Sequence, residues 1–143
     1  MSIHQISVFL ENRAGQLAEL TRLLADNGVD LRAISIAETT DYGVVRMIAD
    51  DDQKASAVLL SHGAILSVTP VWAVEVPDQA GGLASLLEVL AANHVSVEYM
   101  YSLFTHKDGM AYMVLRISDE EKFLKVAKDN GIRIMNEAEL GLK

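Results

Sequence analysis

A chain of 143 residues, half of them apolar and 22% charged, has an ordinary globular composition with enough apolar material for a core, although each half alone would be marginal. The 20 acidic and 12 basic residues leave a formal net charge of −8, which argues against a nucleic-acid backbone or an anionic membrane surface as partner. Cysteine is absent, which excludes disulfide and thiolate chemistry, and with no basic leader and no long apolar run the chain is expected in the cytoplasm.

Residues 3–10 alternate loosely, with Ile6, Val8 and Leu10 on one face, and predict a strand. A polar loop, 11–15, follows. Over 16–27, Leu17, Leu20 and Leu24 recur at helical spacing opposite Glu19, Arg22 and Asp26, and Gly28 suits the left-handed position that ends a helix. Residues 29–38 read as a second strand, Thr39 to Gly43 as a hairpin link, and 44–49 as a third strand. Asp50, Asp51 and Asp52 open a second helix, where carboxylates complement free N–H groups. Ala55, Val58, Leu59 and His62 form its buried stripe, Gly63 ends it, and 65–69 form a fourth strand. Pro70 is expected to punctuate the middle, a short extended connection into a further strand at 71–76.

The same order then returns. Loop 77–81 precedes a helix at 82–93 and a strand at 95–104. Thr105 to Gly109 read as a hairpin link and 110–117 as its second strand. Ser118 and Glu121 have capping-box spacing before the last helix, which Gly131 ends ahead of a strand at 132–135.

The repeat is explicit in the residues. At an offset of 66, Ala14/Ala80, Gly15/Gly81, Leu17/Leu83, Ala18/Ala84, Leu20/Leu86, Leu24/Leu90, Ala25/Ala91, Asn27/Asn93 and Val29/Val95 are identical. Gly43 and Gly109 keep that offset, and Gly63 and Gly131 keep it after two inserted residues. The pattern is βαββαβ twice: an α+β, ferredoxin-like fold in two tandem repeats, 1–69 and 70–143, with antiparallel sheets and helices on one face. The uncovered sheet faces predict pairing of the halves, and a homodimer.

The candidate binding residues sit in the two strand-to-helix loops. They are Leu10, Glu11, Asn12, Arg13, Ala14 and Gly15 in the first, and Asp78, Gln79, Ala80, Gly81 and Gly82 in the second. Free N–H groups at a helix start suit a carboxylate, glycines let backbone approach a ligand, Asn12 can donate and accept, and Asp78 can accept from an ammonium group. Asp30 and Ser96 begin the second strand of each repeat and are expected near the same end. Together these residues could hold both ends of a free amino acid, although the same residue types also serve plain turn geometry and capping. Tyr99 and Tyr101 share a strand face and read either as an aromatic wall for a ligand or as interface packing, since Ala33 and Ser35 occupy their places in the first repeat.

Other chemistries lack support. An RNA-recognition fold shares the βαββαβ order, but its aromatic signature is missing from 110–117. His4, His62, His94 and His106 have no metal-ligand spacing, and the three aspartates read as a cap. No nucleophile elbow, phosphate loop or dinucleotide fingerprint is present, so no catalytic residue and no cofactor is expected.

Glu11-Asn12-Arg13-Ala14-Gly15-Gln16-Leu17 resembles the E-N-R-P-G-V-L motif of ACT regulatory domains, and Asn27-Gly28-Val29-Asp30-Leu31 is similar to the segment that follows it in that family. The resemblance covers the whole chain as two tandem ACT repeats without a catalytic domain, and it extends to Val97 through Ser102, which look like the small stand-alone tandem-ACT proteins of bacteria. It implies a non-catalytic regulatory or sensor protein of amino-acid metabolism that binds an amino acid, or alternatively a regulatory or interaction subunit of a separate biosynthetic enzyme. Under that resemblance Asn12 matches the ligand-contacting Asn of the motif, Asp30 falls where serine-binding members carry a second Asn, and Asp78 and Ser96 are the second-repeat equivalents. Ala14 and Ala80 replace the usual Pro, Leu10 replaces a His, and Pro77 stands one residue early. These departures leave an apolar or aromatic ligand as open as serine, and they predict a second loop of different shape.

Overall fold

In the computed structural model of this protein, residues 1–11, 13–38 and 42–143 are described. The elements are β1 (Ile3–Glu11), α1 (Gln16–Asp26), β2 (Leu31–Glu38), β3 (Tyr42–Ala49), α2 (Asp52–Ser61), β4 (Ile65–Pro77), α3 (Gly82–Ala92), β5 (Val97–Ser102), β6 (Met110–Ile117), α4 (Glu120–Asn130) and β7 (Ile134–Met135). They form two compact units, His4–Thr69 with Gly141–Lys143, and Pro70–Leu140 with Met1–Ile3.

In the first unit β3 lies between β2 and β1, antiparallel to both, and β4 follows β1. In the second, β6 lies between β4 and β5, antiparallel to both, and β7 pairs with β4 on its other side. This is the expected βαββαβ order twice. Pro70, however, does not interrupt the chain: β4 runs unbroken from Ile65 to Pro77. A proline's fixed φ fits extended backbone, and it is tolerated in a strand wherever no ladder bond needs its missing N–H.

The registers of the two units correspond pair by pair. Ile6↔Met47 and Val8↔Val45 are matched by Trp72↔Leu115 and Val74↔Met113, and Ile34↔Met47 by Met100↔Leu115. Both units have a β-bulge at the same place, between Leu31 and Ala33 and between Val97 and Tyr99. The offset is therefore 66 through the first two strands of each unit and 68 from the third strand onward. The two extra residues lie in the second hairpin. Gly43 and Gly109 are consequently not equivalent: Gly43 is paired inside β3, whereas Gly109 turns the chain at φ +77°. Tyr42 also belongs to β3 and not to the link, while Thr39, Thr40 and Asp41 lie outside the described residues.

One core lies under each helix pair. Ile6, Val8, Val45 and Met47 pack against Leu20 and Leu24 of α1 and Ala55 and Leu59 of α2. In the second unit Trp72, Val74, Leu115 and Ile117 pack against Leu86 and Leu90 of α3 and Phe123 and Val126 of α4. Trp72 and Phe123 meet at a centroid distance of 5.7 Å, and the indole N–H donates to Glu120 Oε2 at 2.9 Å. The helices end alike. Val29 N–H donates to the Leu24 carbonyl and Val95 N–H to that of Leu90, closing each helix end in a Schellman-type bond. These residues thus serve the helix ends, and the strands start later than the apolar pattern suggests. His94 fills the left-handed position at φ 57° where the first unit has Gly28. The starts of α2 and α4 are capped by Asp51 and Asp119, whose carboxylates accept from the N–H groups of Lys54 and Lys122. The second cap is therefore Asp119, one residue after the expected Ser118.

Candidate functional site

The first cradle joins β1 to α1. Leu10 is half-buried against the core, and Glu11, Arg13, Ala14 and Gly15 are exposed. Arg13 N–H donates to the Glu11 carbonyl at 3.0 Å, and the two side chains form an exposed ion pair at 3.5 Å. Gly15 takes φ 88° at the N-cap position, where a side chain would be strained, and no side chain caps α1. The N–H groups of its first turn therefore have no capping side chain, the arrangement that suits an anionic group. Asn12 lies outside the described residues, so its expected contact with a ligand has no geometry to report.

The second cradle repeats this backbone. Bonds from Arg13, Gln16 and Glu19 N–H to the carbonyls of Glu11, Arg13 and Gly15 reappear from Gln79, Gly82 and Ser85 to Pro77, Gln79 and Gly81. Gly81 also has φ 88°, and α3 too lacks a side-chain cap. Pro77 leaves these turn bonds in place, its carbonyl accepting the first of them, but the loop packs more tightly there than the first, where Gln16 carries a Cβ. The side chains differ as well. Asp78, Gln79 and Ala80 are exposed, and Asp78 N–H is tied to the Gly109 carbonyl at 2.9 Å. Gly82 is buried against Pro77, where an added Cβ would collide with the Pro77 carbonyl oxygen. The residue at that place in the first cradle is Gln16, which turns its side-chain amide toward the Arg13 guanidinium.

Asp30 and Ser96 are not near these loops within their units. The cradle end of β1 pairs with Tyr42 and Gly43, while β2 begins opposite Ala49 at the other end of β3. Six or seven residues of strand separate them, about 20 Å at strand rise. Asp30 is also engaged there: its carboxylate meets Arg32 Nη1 at 3.0 Å, and its N–H donates to Asp50 Oδ1 at 2.9 Å. Ser96 is exposed at the matching end of β5, where its carbonyl faces the Ser118 hydroxyl at 3.5 Å. The expectation reversed the strand direction: a helix crossover returns the chain to the far edge before the next strand starts. Tyr99 and Tyr101 do share a face, opposite Arg116 and Val114 of β6 and turned away from the α3–α4 core. Tyr101 is buried and Tyr99 half-buried.

Two depressions flank the first cradle. The smaller, about 220 Å³, lies on the β2–β3 side against Arg13, Leu17, Ile36 and Val45. The larger, about 540 Å³, lies between α1 and the end of α2, over Leu20, Leu23 and Leu59. Leu10, Glu11 and Gln16 border both. Gln16, Glu19, Ile36 and His62 are thus site-lining residues absent from the sequence-based set. The signal for Gln16 was available as a polar residue facing a glycine across the repeat, at Gly82. His62, expected on the apolar stripe of α2 in a core or cap role, is the exposed C-cap of that helix, with Nδ1 3.0 Å from the Val58 carbonyl. Among the described residues no group of three or more acidic or His side chains is placed to hold a metal, and no helix is long and apolar enough to cross a membrane.

The family model for an ACT domain pair matches residues 1–142. Protein BT0572 from Bacteroides thetaiotaomicron is 35% identical, with 99% of this chain and 96% of that one covered at a TM-score of 0.90. The ligand-free regulatory subunit of aspartate kinase from Thermus thermophilus shares the fold at 15% identity, 88% and 91% coverage and a TM-score of 0.65. Its counterpart from Thermus flavus does so at 16% identity, 90% and 93% coverage and 0.61. No curated protein matches the chain. The chain belongs to the family of ACT domain pairs, a regulatory domain type that binds amino acids.

Proposed function

Starting from membership of the ACT-pair family, we propose that this chain is a non-catalytic amino-acid sensor and that its first cradle is the binding edge. The observation that carries the reading is the uncapped start of α1 beside the larger depression. Its volume of about 540 Å³ falls within the usual range for small-molecule sites, roughly 300–1,000 Å³, and the smaller one lies below it. In this reading the ligand's body lies in the larger depression and its carboxylate reaches over the loop, to the N–H groups of the first turn of α1 and to the Arg13 guanidinium, which borders the smaller depression, with Asn12 as a further contact. The second cradle has the backbone but not the side chains, because Gly82 closes on Pro77.

Exposed apolar side chains around the cradle, Phe9, Ile36, Tyr42 and Ile65, favour association with a second copy of the chain, and ligand that binds the associated form should strengthen it. The test is thermal shift against the twenty amino acids, with sedimentation at each hit. Stabilisation by one of them supports the sensor, and a fully folded protein that none stabilises sinks it. A second reading, a regulatory subunit of a separate biosynthetic enzyme, draws on fold likeness to the Thermus subunits alone. Recovery of a stoichiometric enzyme partner from the native host would favour it over a self-contained sensor.

A further inference from the structure

The sheet edges of the two units are not equally guarded. β2 has Arg32, Glu38 and a bulge after Leu31. β5 has Glu98, ion-paired to Arg116 at 3.4 Å, and a bulge after Val97. β7 is two residues long, flanked by Arg133, which pairs with Glu75, and by a turn in which Asn136 and Glu139 bond each other. Charge, bulges and short length keep an edge from pairing with another chain. The first half of β4 has none of these. Ile65, Leu66, Ser67, Val68 and Thr69 are uncharged. Among the described residues no strand pairs with them on the side away from β1, since the pairs of β4 with β6 and β7 start at Trp72 and Ala73. Ile65 is 70% and Val68 47% exposed, and Pro70, without an N–H, ends the run.

The second unit shows which backbone groups of this edge are free. Glu75 N–H donates to the Arg133 carbonyl, so the groups of Ile134, the next residue, point away from β4. Ile65 stands where Arg133 stands, because the helix-end bond from Ala64 N–H to the Leu59 carbonyl reappears from Ile132 to Ala127. Leu66 and Val68 therefore turn their N–H and C=O groups outward. We infer that this edge pairs with the same edge of a second copy of the chain, antiparallel about a two-fold axis at Ser67. In that register Leu66 of one copy and Val68 of the other exchange both backbone bonds, twice over, and Ile65 faces Thr69. The segment is thus its own complement, in an isologous contact between β-favouring side chains. No like charges meet at the seam, although each chain has a net charge of −8. The inference places association with a second copy on β4, and it holds with or without a ligand.

The chain has no cysteine, so single introduced thiols report the seam. Ser67 is exposed, and residues facing each other at a non-bonded antiparallel pair have Cα atoms about 4.5 Å apart, within disulfide reach. In the full chain oxidised with copper phenanthroline, Ser67→Cys should form covalent dimer at least about tenfold faster than Ser35→Cys on β2 or Ser102→Cys on β5, because its two thiols are held together and do not have to meet by diffusion. Val68→Lys, at an exposed edge position, removes an apolar side chain from each side of the seam and should weaken the dimer about tenfold or more in sedimentation. A dimer that Val68→Lys leaves intact would overturn the inference. So would faster cross-linking through Ser35→Cys or Ser102→Cys, which would place association on another edge. A chain that stays monomeric up to about 1 mM would leave β4 to a different partner or to none, and would also overturn it. None of these results bears on amino-acid binding, which thermal shift reads separately.

Discussion

The two cradles share their turn bonds and differ in how tightly they pack and in what they present. Each has the same three turn bonds, a left-handed glycine at φ 88° and a helix with no side-chain cap. Yet Gln16 and Glu19 stand in the first where Gly82 and Ser85 stand in the second, and Phe9 and Ile65 where Glu75 and Arg133 form an ion pair. The cores diverge in the same sense: Trp72 and Phe123 meet where the first unit has Ile6 and Ala55. The same turn bonds therefore present different surfaces. One copy has kept an open, polar-rimmed loop, while the other has a tight turn over a bulkier core.

The largest expected effect tests that core. Phe123 is fully buried against the sole tryptophan of the chain, so Phe123→Ala should cost about 4 kcal/mol in urea unfolding followed by Trp72 fluorescence. A cost below about 1 kcal/mol would mean that the aromatic pair is not the anchor of the second unit. Next is the loop contrast. Gly82→Ala should cost about 2–3 kcal/mol, because the new methyl meets backbone that cannot rotate away. Gln16→Ala, its counterpart, should change stability by less than about 0.5 kcal/mol, as ordinary surface substitutions do. Equal effects in the two would show that the loops are structurally interchangeable and would remove the basis for assigning them different roles. The smallest effect concerns the helix ends. His94→Gly should stabilise by up to about 1 kcal/mol, because glycine takes φ 57° without strain, as Gly28 does in the first unit.

Much of this was legible in the residues. Leu17, Leu20 and Leu24 with their second copies fixed α1, α3 and the repeat, because periodic burial leaves a periodic pattern. The positions of Asp30 and Ser96 were legible but misread: strands joined by a helix crossover run parallel, so β2 and β5 start at the end of the sheet opposite the cradles. The offset of 66 between Gly43 and Gly109 was a coincidence of the inserted hairpin residues, and only strand register separates the two. The larger depression was invisible for a related reason. It is lined from β1, α1, α2 and the start of β4, and no local pattern announces that four elements converge.

Calorimetric titration of the full chain with the amino acid that gives the largest thermal shift tests the central claim most directly, in the native protein and in Arg13→Ala and Asp78→Ala. Both substituted positions are exposed, so folding should be preserved in each. The account predicts one site per chain, weakened about tenfold or more by Arg13→Ala, in line with the loss of a hydrogen bond to a charged group, and unchanged by Asp78→Ala. Two equivalent sites per chain, or equal weakening by both substitutions, would contradict it.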